Sequence, residues 1–158
     1  MKKVKTNALR LLDRAHVSYE IKEYEYDEDH LSGHHIIDKV DLPSEAIYKT
    51  LVLRGDHGYL VCCIPVLLEI DLKKLAKASQ QKRVEMVHQK ELLGLTGYIR
   101  GGCSPIGMKK IFPTYFQEDI IQQSQVALSA GKRGIQMILS PEDLIHVTNG
   151  MLVDVVRR

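Results

Sequence analysis

The sequence predicts an α/β domain of the α+β kind, built on a mixed, strongly curved β-sheet. Strand-like segments outnumber clear crossover helices, which argues against a doubly wound parallel sheet. The 158 residues suit one domain. No repeat, linker or low-complexity stretch divides the chain, so residues 1–158 are read as a single unit.

Thr6-Asn7 can cap a first helix whose apolar residues Ala8, Leu11, Leu12 and Ala15 fall three to four apart. From Val17 to Tyr24 the spacing changes to period two, which predicts a strand. The acidic run Tyr24 to Asp29 reads as a loop. Gly33 to Val40 reads as a short helix with Ile36, Ile37 and Val40 inward, ended by Leu42-Pro43. Ile47 to Arg54 and Gly58 to Pro65 are two apolar strands, joined by Gly55-Asp56-His57-Gly58 as a hairpin. Asp71 caps a helix over Leu72 to Ala78, with Leu72, Leu75 and Ala76 on one face and Lys73, Lys74 and Lys77 outside. A strand at Arg83 to Val87 and a helix at Gln89 to Leu93 follow. Thr96 to Gly107 holds four glycines and a proline, the mark of a constrained loop with exposed backbone. Strands are expected at Ile111 to Phe116, Gln125 to Ser129 and Ile135 to Leu139. Ser140 as N-cap and Pro141 at the first helical position open a last helix.

A chain of this length buries roughly 70% of its unfolded surface and needs no disulfide or metal staple. Its formal charge of +2 is not that of a DNA-coating protein, but suits a partner touched at a few phosphates. The cysteines Cys62, Cys63 and Cys103 are odd in number. Neighbours on a strand face opposite ways, so Cys62 and Cys63 are poor disulfide partners. A reducing, cytoplasmic setting is therefore expected. No early apolar run suggests a signal peptide, and no stretch reaches the ~20 apolar residues that cross a membrane.

Several segments are candidates for chemistry. Lys49 shares one strand face with Leu51, while Tyr48, Thr50 and Val52 share the other. Flanked by apolar residues, Lys49 can hold a phosphate or polarise a carbonyl oxygen; the plainer reading is an edge lysine that discourages aggregation. The loop Gly101-Gly102-Cys103-Ser104-Pro105 can bring backbone amides close to a substrate, as an oxyanion hole or ribose clamp, or be a structural turn. Cys103 lacks any partner base that would mark a nucleophile. Ser129 to Gly134 has no Walker spacing and leads into a strand, which excludes an NTPase loop. It is either a turn presenting Lys132 and Arg133 to RNA phosphates or a plain hairpin turn. His30, His34 and His35, with Asp27 and Asp29, form the one metal-like grouping, but Ser32-Gly33 breaks the helix it would need; a polar loop is the simpler reading. Lys73-Lys74-Lys77, Lys82-Arg83 and Lys109-Lys110 are either solvated faces or a surface that steers an acceptor stem.

Taken in order, several segments resemble the YbaK/EbsC family of aminoacyl-tRNA editing proteins. They are Tyr48-Lys49-Thr50-Leu51, Asp71 to Ala78, Val84-Glu85-Met86, Thr96-Gly97-Tyr98, Gly101-Gly102 with Ser104-Pro105 and Gly107, Lys109-Lys110, Pro113, and Ser129 with Gly131 to Gly134. The resemblance implies a barrel-like sheet surrounded by helices. It implies hydrolysis of the ester between an amino acid and the tRNA 3′ end, without metal or organic cofactor. Lys49 matches the family's functional lysine, and Gly101 and Gly102 match its glycine pair beside the terminal adenosine. Tyr24, Thr50, Ser129 and Gly131 match pocket positions; Ser104, Lys132, Arg133 and Gln136 complete the expected substrate contacts. Gln136 stands where the best-known members carry an aspartate, so an acceptor-only group becomes an amide that also donates. Leu31 and Ser32 replace an aromatic residue of some members. In such enzymes the thiol of the misacylated cysteine attacks its own ester, which needs no protein nucleophile. The expected substrate is Cys-tRNA(Pro), bound at the tRNA acceptor end, with prolyl-tRNA synthetase as a companion and neither DNA nor membrane as a partner. The alternatives are a deacylase for another small group such as Ala-tRNA(Pro), and a non-catalytic tRNA- or synthetase-binding module.

Overall fold

A computed structural model describes residues 5–26 and 36–158. The histidine grouping with Asp27 and Asp29, the Leu31-Ser32 departure and the start of the expected Gly33–Val40 helix lie outside the described residues.

Helix α1 spans Asn7–Arg14, and the Thr6 hydroxyl accepts the Leu9 N–H at 3.2 Å as its cap. Its buried face is Ala8, Leu9 and Leu12. Leu9 takes the place expected for Ala15, because the helix ends at Arg14 and Ala15 is an exposed cap. Strand β1 is Glu20–Glu23, shorter than the Val17–Tyr24 period suggests. Val17 and Tyr19 pack on the core without strand pairing, so burial alone produces the alternation there. Strands β2 (Tyr48–Gly55) and β3 (Gly58–Pro65) pair antiparallel as the expected hairpin, with Gly55 opposite Gly58 so that Asp56-His57 form the turn. The Asp71 carboxylate accepts the N–H groups of Lys73 and Lys74, capping α2 (Leu72–Ala78). Then come β4 (Val84–Met86), α3 (Gln89–Thr96), β5 (Thr114–Gln117), β6 (Val126–Ser129), β7 (Ile135–Leu139), α4 (Pro141–Thr148) and β8 (Met151–Val153).

The strands form two sheets, and this corrects the barrel-like expectation. One sheet has the order β1-β7-β6, the other β4-β2-β3-β5-β8. A barrel needs a continuous ladder between every pair of neighbours. Among the described residues the sheets meet through a single parallel bridge, Ile47 to Ala127. The edge strands β4 and β8 have three residues each, and β1 is exposed along its whole length, so none extends the ladder to closure. The sheet is mixed as expected: β5 runs parallel to both β3 and β8, and the remaining pairs are antiparallel.

Between the sheets lies the main core, where Val52, Cys63 and Phe116 meet Leu128, Met137 and α1. On the far side of the larger sheet, Leu53, Cys62 and Ile64 pack under Leu75 of α2. Cys62 and Cys63 thus face opposite cores, and all three cysteines are free thiols. A smaller cluster of Val40, Ile47, Val66 and Ala127 sits where the sheets touch. No helix among the described residues is long and apolar enough to cross a membrane.

Candidate active site

A cavity of about 430 Å³ opens at the start of β2, next to that junction. One wall is Tyr48 to Leu51 of β2, a second is Ser129 and Gln136 on paired positions of β6 and β7, and a third is the loop at Arg100, Gly101 and Cys103. The turn from Val66 to Glu69 forms the rim.

Lys49 stands on the opposite side of β2 from Tyr48 and Thr50, as alternation requires. It is half-buried, and burial lowers its pKa while the charge of Glu69 pulls the other way. No hydrogen bond or ion pair engages its ammonium among the described residues. Such a cation, little shielded by water, is placed to stabilise negative charge developing on an ester oxygen.

Gln136 is only 2% exposed. Ile135 and Met137 beside it point into the main core, so Gln136 must point the other way, to the cavity. Its Oε1 has no hydrogen-bond partner. A buried acceptor left without a donor costs about 1–3 kcal/mol, which a ligand N–H or S–H would recover. The Tyr48 hydroxyl is buried and unpartnered in the same way, and burial raises its pKa. The Thr50 hydroxyl lies 3.6 Å from the Cys63 sulfur, so its orientation is tied to the core.

Gly101 lines the cavity with φ of 85°, a conformation favouring glycine, and its N–H makes no backbone hydrogen bond among the described residues. Gly102 has another task. Its N–H donates to the Ile99 carbonyl at 2.9 Å, and a Cβ there would come within 3.0 Å of the Arg133 nitrogen. Gly102 therefore lets the glycine loop lie against the β6–β7 turn. Arg133 fastens that contact by donating Nε to the Arg100 carbonyl at 2.7 Å. Gly131 presses on the Tyr98 ring and donates its N–H to the Ser129 hydroxyl at 3.2 Å. Ser104 is fully buried and accepts the Ile106 N–H. Of the expected site residues, Lys49, Thr50, Gly101, Ser129 and Gln136 thus meet in the cavity. Gly102, Ser104, Gly131 and Arg133 build its frame. Lys132 is exposed outside the lining, and Tyr24 is held beyond it by its N–H to the Gly134 carbonyl. Lys74, one of the expected steering lysines, is engaged by Asp154 and the Val156 carbonyl. Sequence reasoning did not single out Tyr48, Glu69 or Arg100 as lining residues; their adjacency to Lys49, α2 and the glycine pair was the available signal.

Burial pushes the Cys62 and Cys103 thiols up to about 12 and Cys63 well above its ordinary value. Cys103 touches the cavity, yet at neutral pH it is a thiol and not the thiolate a nucleophile requires. No histidine lines the cavity among the described residues, so Ser129 and Thr50 have no imidazole base. No group of three or more metal-ligating side chains occurs among the described residues either.

The aminoacyl-tRNA editing domain family matches residues 35–147. The chain belongs to this family. A protein of Enterococcus faecalis, provisionally named Cys-tRNA(Pro)/Cys-tRNA(Cys) deacylase EbsC, is 48% identical over 155 residues, covering 98% of this chain and 94% of the relative. Among solved structures, one provisionally described as a trans-editing enzyme for prolyl tRNA synthetase superposes with a TM-score of 0.83. It is 20% identical, and the match covers 99% of this chain and 100% of that one. The hypothetical protein APE2540 gives 0.87 at 16% identity, covering 96% and 100%. At such identities these structures show the shared fold of the editing domain, and the family itself rests on the sequence matches.

Proposed function

We infer that this editing domain hydrolyses the ester of mischarged aminoacyl-tRNA, with Cys-tRNA(Pro) as its substrate. One observation carries the reading: an unpaired, half-buried Lys49 faces a small cavity that also holds the free carbonyl of Gln136 and the glycine loop. A half-buried cation that lines the same cavity as an unpartnered acceptor supports a reacting site over a plain binding surface. The name of the Enterococcus relative supports the cysteinyl group and the prolyl tRNA.

The cavity supplies position and charge, and the substrate supplies the nucleophile. The cysteine sulfur bonds to its own ester carbon as the bond to the ribose oxygen breaks, and the thiol proton ends on that oxygen. The strained thiolactone so formed is opened by water to free cysteine. Lys49 stabilises the charge on the carbonyl oxygen, Gly101 offers a backbone N–H, and Gln136 receives a donor of the aminoacyl group. On this reading the protein acts where tRNA is charged, in the cytoplasm, with prolyl-tRNA synthetase as the proposed companion.

The test is a panel of tRNA(Pro) charged with cysteine, serine, alanine and proline. The cysteinyl ester is expected to be cleaved at least ~100-fold faster than the seryl one, which has the same shape and no thiol. Equal cleavage of those two would defeat thiol assistance. Preference for alanine would move the protein to the alanyl deacylases. Salt-dependent binding without cleavage of any ester would make it a binding module.

A further inference from the structure

The cavity beside Lys49 carries its charge unevenly. Its lining holds two cations, Lys49 and Arg100, and among the described residues a single carboxylate, Glu69. Glu69 ends the rim turn, and its backbone is held from outside the cavity. Its carbonyl accepts the Arg157 N–H at 2.9 Å, and the next residue, Ile70, bridges to Val156. The side chain is the freer part. It is 76% exposed, and one of its oxygens, Oε2, accepts a hydrogen bond from Arg157 at 3.3 Å. On the cavity side, the carboxylate stops short of an ion pair with Lys49, yet its charge acts on that ammonium.

We propose that the Glu69 carboxylate takes the α-ammonium of the aminoacyl ester, and so restricts the substrate to esters whose amine is free. The inference rests on the deacylase reading, with Lys49 at the carbonyl oxygen. Three bonds separate that oxygen from the α-nitrogen, so the two atoms lie about 3 Å apart. A substrate seated on Lys49 therefore brings a second cation close to the first. Beside a half-buried lysine, two such charges repel more than they would in water. Arg100 adds to the repulsion. Gln136 can accept an N–H, but a neutral amide offsets no charge. Glu69 is the lining group of opposite sign, and the gap between it and Lys49 leaves space for an ammonium adjoining the carbonyl. A carboxylate on an ammonium is a charge-assisted pair, stronger than a hydrogen bond between neutral groups. All aminoacyl esters share the ammonium, so Glu69 does not choose among side chains. It separates aminoacyl-tRNA from N-acylated forms such as peptidyl-tRNA, whose amide nitrogen carries no charge.

The experiment gives two substrates to the unaltered protein and to Glu69→Gln. One is Cys-tRNA(Pro). The other is tRNA(Pro) esterified with 3-mercaptopropionate, which keeps the thiol and the ester and lacks only the α-ammonium. Glu69→Gln is expected to lose roughly tenfold in kcat/KM on Cys-tRNA(Pro) and nothing on the mercaptopropionyl ester. Comparing the two proteins on each substrate cancels the unequal intrinsic reactivity of the esters. An equal loss on both substrates would mean that Glu69 acts through Lys49 or the rim turn, and would overturn the assignment. So would an unchanged rate on Cys-tRNA(Pro). Should the unaltered protein cleave neither ester, the deacylase reading falls, and binding of cysteine methyl ester decides this one. Amide NMR shifts at Lys49 and Gly101 that disappear in Glu69→Gln would uphold the ammonium site. Shifts that are absent from the unaltered protein, or equal in the two proteins, would overturn it.

Discussion

Two buried glutamines of this protein live under opposite conditions. Gln117 is fully buried on β5, and every polar atom of its side chain is used. Its Oε1 accepts the Val155 N–H at 2.8 Å, while its Nε2 donates to Asp119 at 2.8 Å and Asp154 at 3.0 Å. Asp154 in turn holds Lys74 and lies near Arg158, so the C-terminal segment is tied to α2 and β5. Gln136, at 2% exposed, leaves its Oε1 without a partner, and the same cavity is lined by Tyr48, whose buried hydroxyl is also unpartnered, and by Lys49, whose ammonium has no partner among the described residues. A fold that satisfies one buried amide completely has no difficulty satisfying another. The contrast therefore separates polar groups that hold the chain together from polar groups kept available for a ligand.

Three substitutions can break or sharpen that contrast. The largest effect is expected from Lys49→Met, which should lower deacylation by at least ~100-fold while the protein still folds, because removing a charge aimed at the transition state costs that much or more. The same variant tests the cation's environment. Burial lowers the Lys49 pKa below 10.5, so the folded protein releases this proton before the unfolded chain does. The unfolded state then binds more protons, and stability rises as pH climbs through the lowered pKa toward 10.5. That rise should be absent in Lys49→Met when urea midpoints are compared across the alkaline range. An unchanged deacylation rate would remove Lys49 from the chemistry.

Next is Gln117→Ala, expected to destabilise the fold by about 3 kcal/mol in urea unfolding, since it leaves the Val155 N–H buried without an acceptor and opens a void. Activity per folded molecule should stay level. The Asp154 carboxyl, held below its ordinary range first by the Gln117 amide and then by Lys74, should move up toward it. A Gln117→Ala protein as stable as the parent would show that the satisfied network contributes nothing. The smallest effect on stability belongs to Gln136→Leu, within about 1 kcal/mol of the parent, because an acceptor that has no partner loses none on removal. Its cost should fall on cysteinyl-ester cleavage, by roughly tenfold. A large loss of stability there would mean that Gln136 is a structural residue after all.

The same division explains what was readable in advance. Caps and turns were, because they depend on neighbours along the chain. Thr6, Asp71 and Ser140 accept backbone N–H groups of their own helices, and the Gly55–Gly58 turn closes with neighbouring strands as expected. Strand β8 and the parallel pairing of β5 were not, because Met151–Val153 is too short to show a period and its partners lie far away in the chain. Lys49, Gly101, Ser129 and Gln136 were recognisable from motif order. The division of labour among them was not: Gly101 and Gly102 look alike in sequence, yet one lines the cavity and the other meets Arg133.

By itself, the sequence determined the mixed α+β class, the capped helices, the β2–β3 hairpin and the editing family, and it picked out several residues that line the candidate cavity. Such features follow from local propensity, two-fold or helical spacing, and motif order. Only the tertiary structure decided that the described strands divide into two open sheets, joined among the described residues by one bridge at Ile47 and Ala127. It also decided that Lys49 and Gln136 stay unpaired at that junction while Gln117 is saturated. Pairing and burial depend on which distant residues arrive at the same place, and no local pattern carries that.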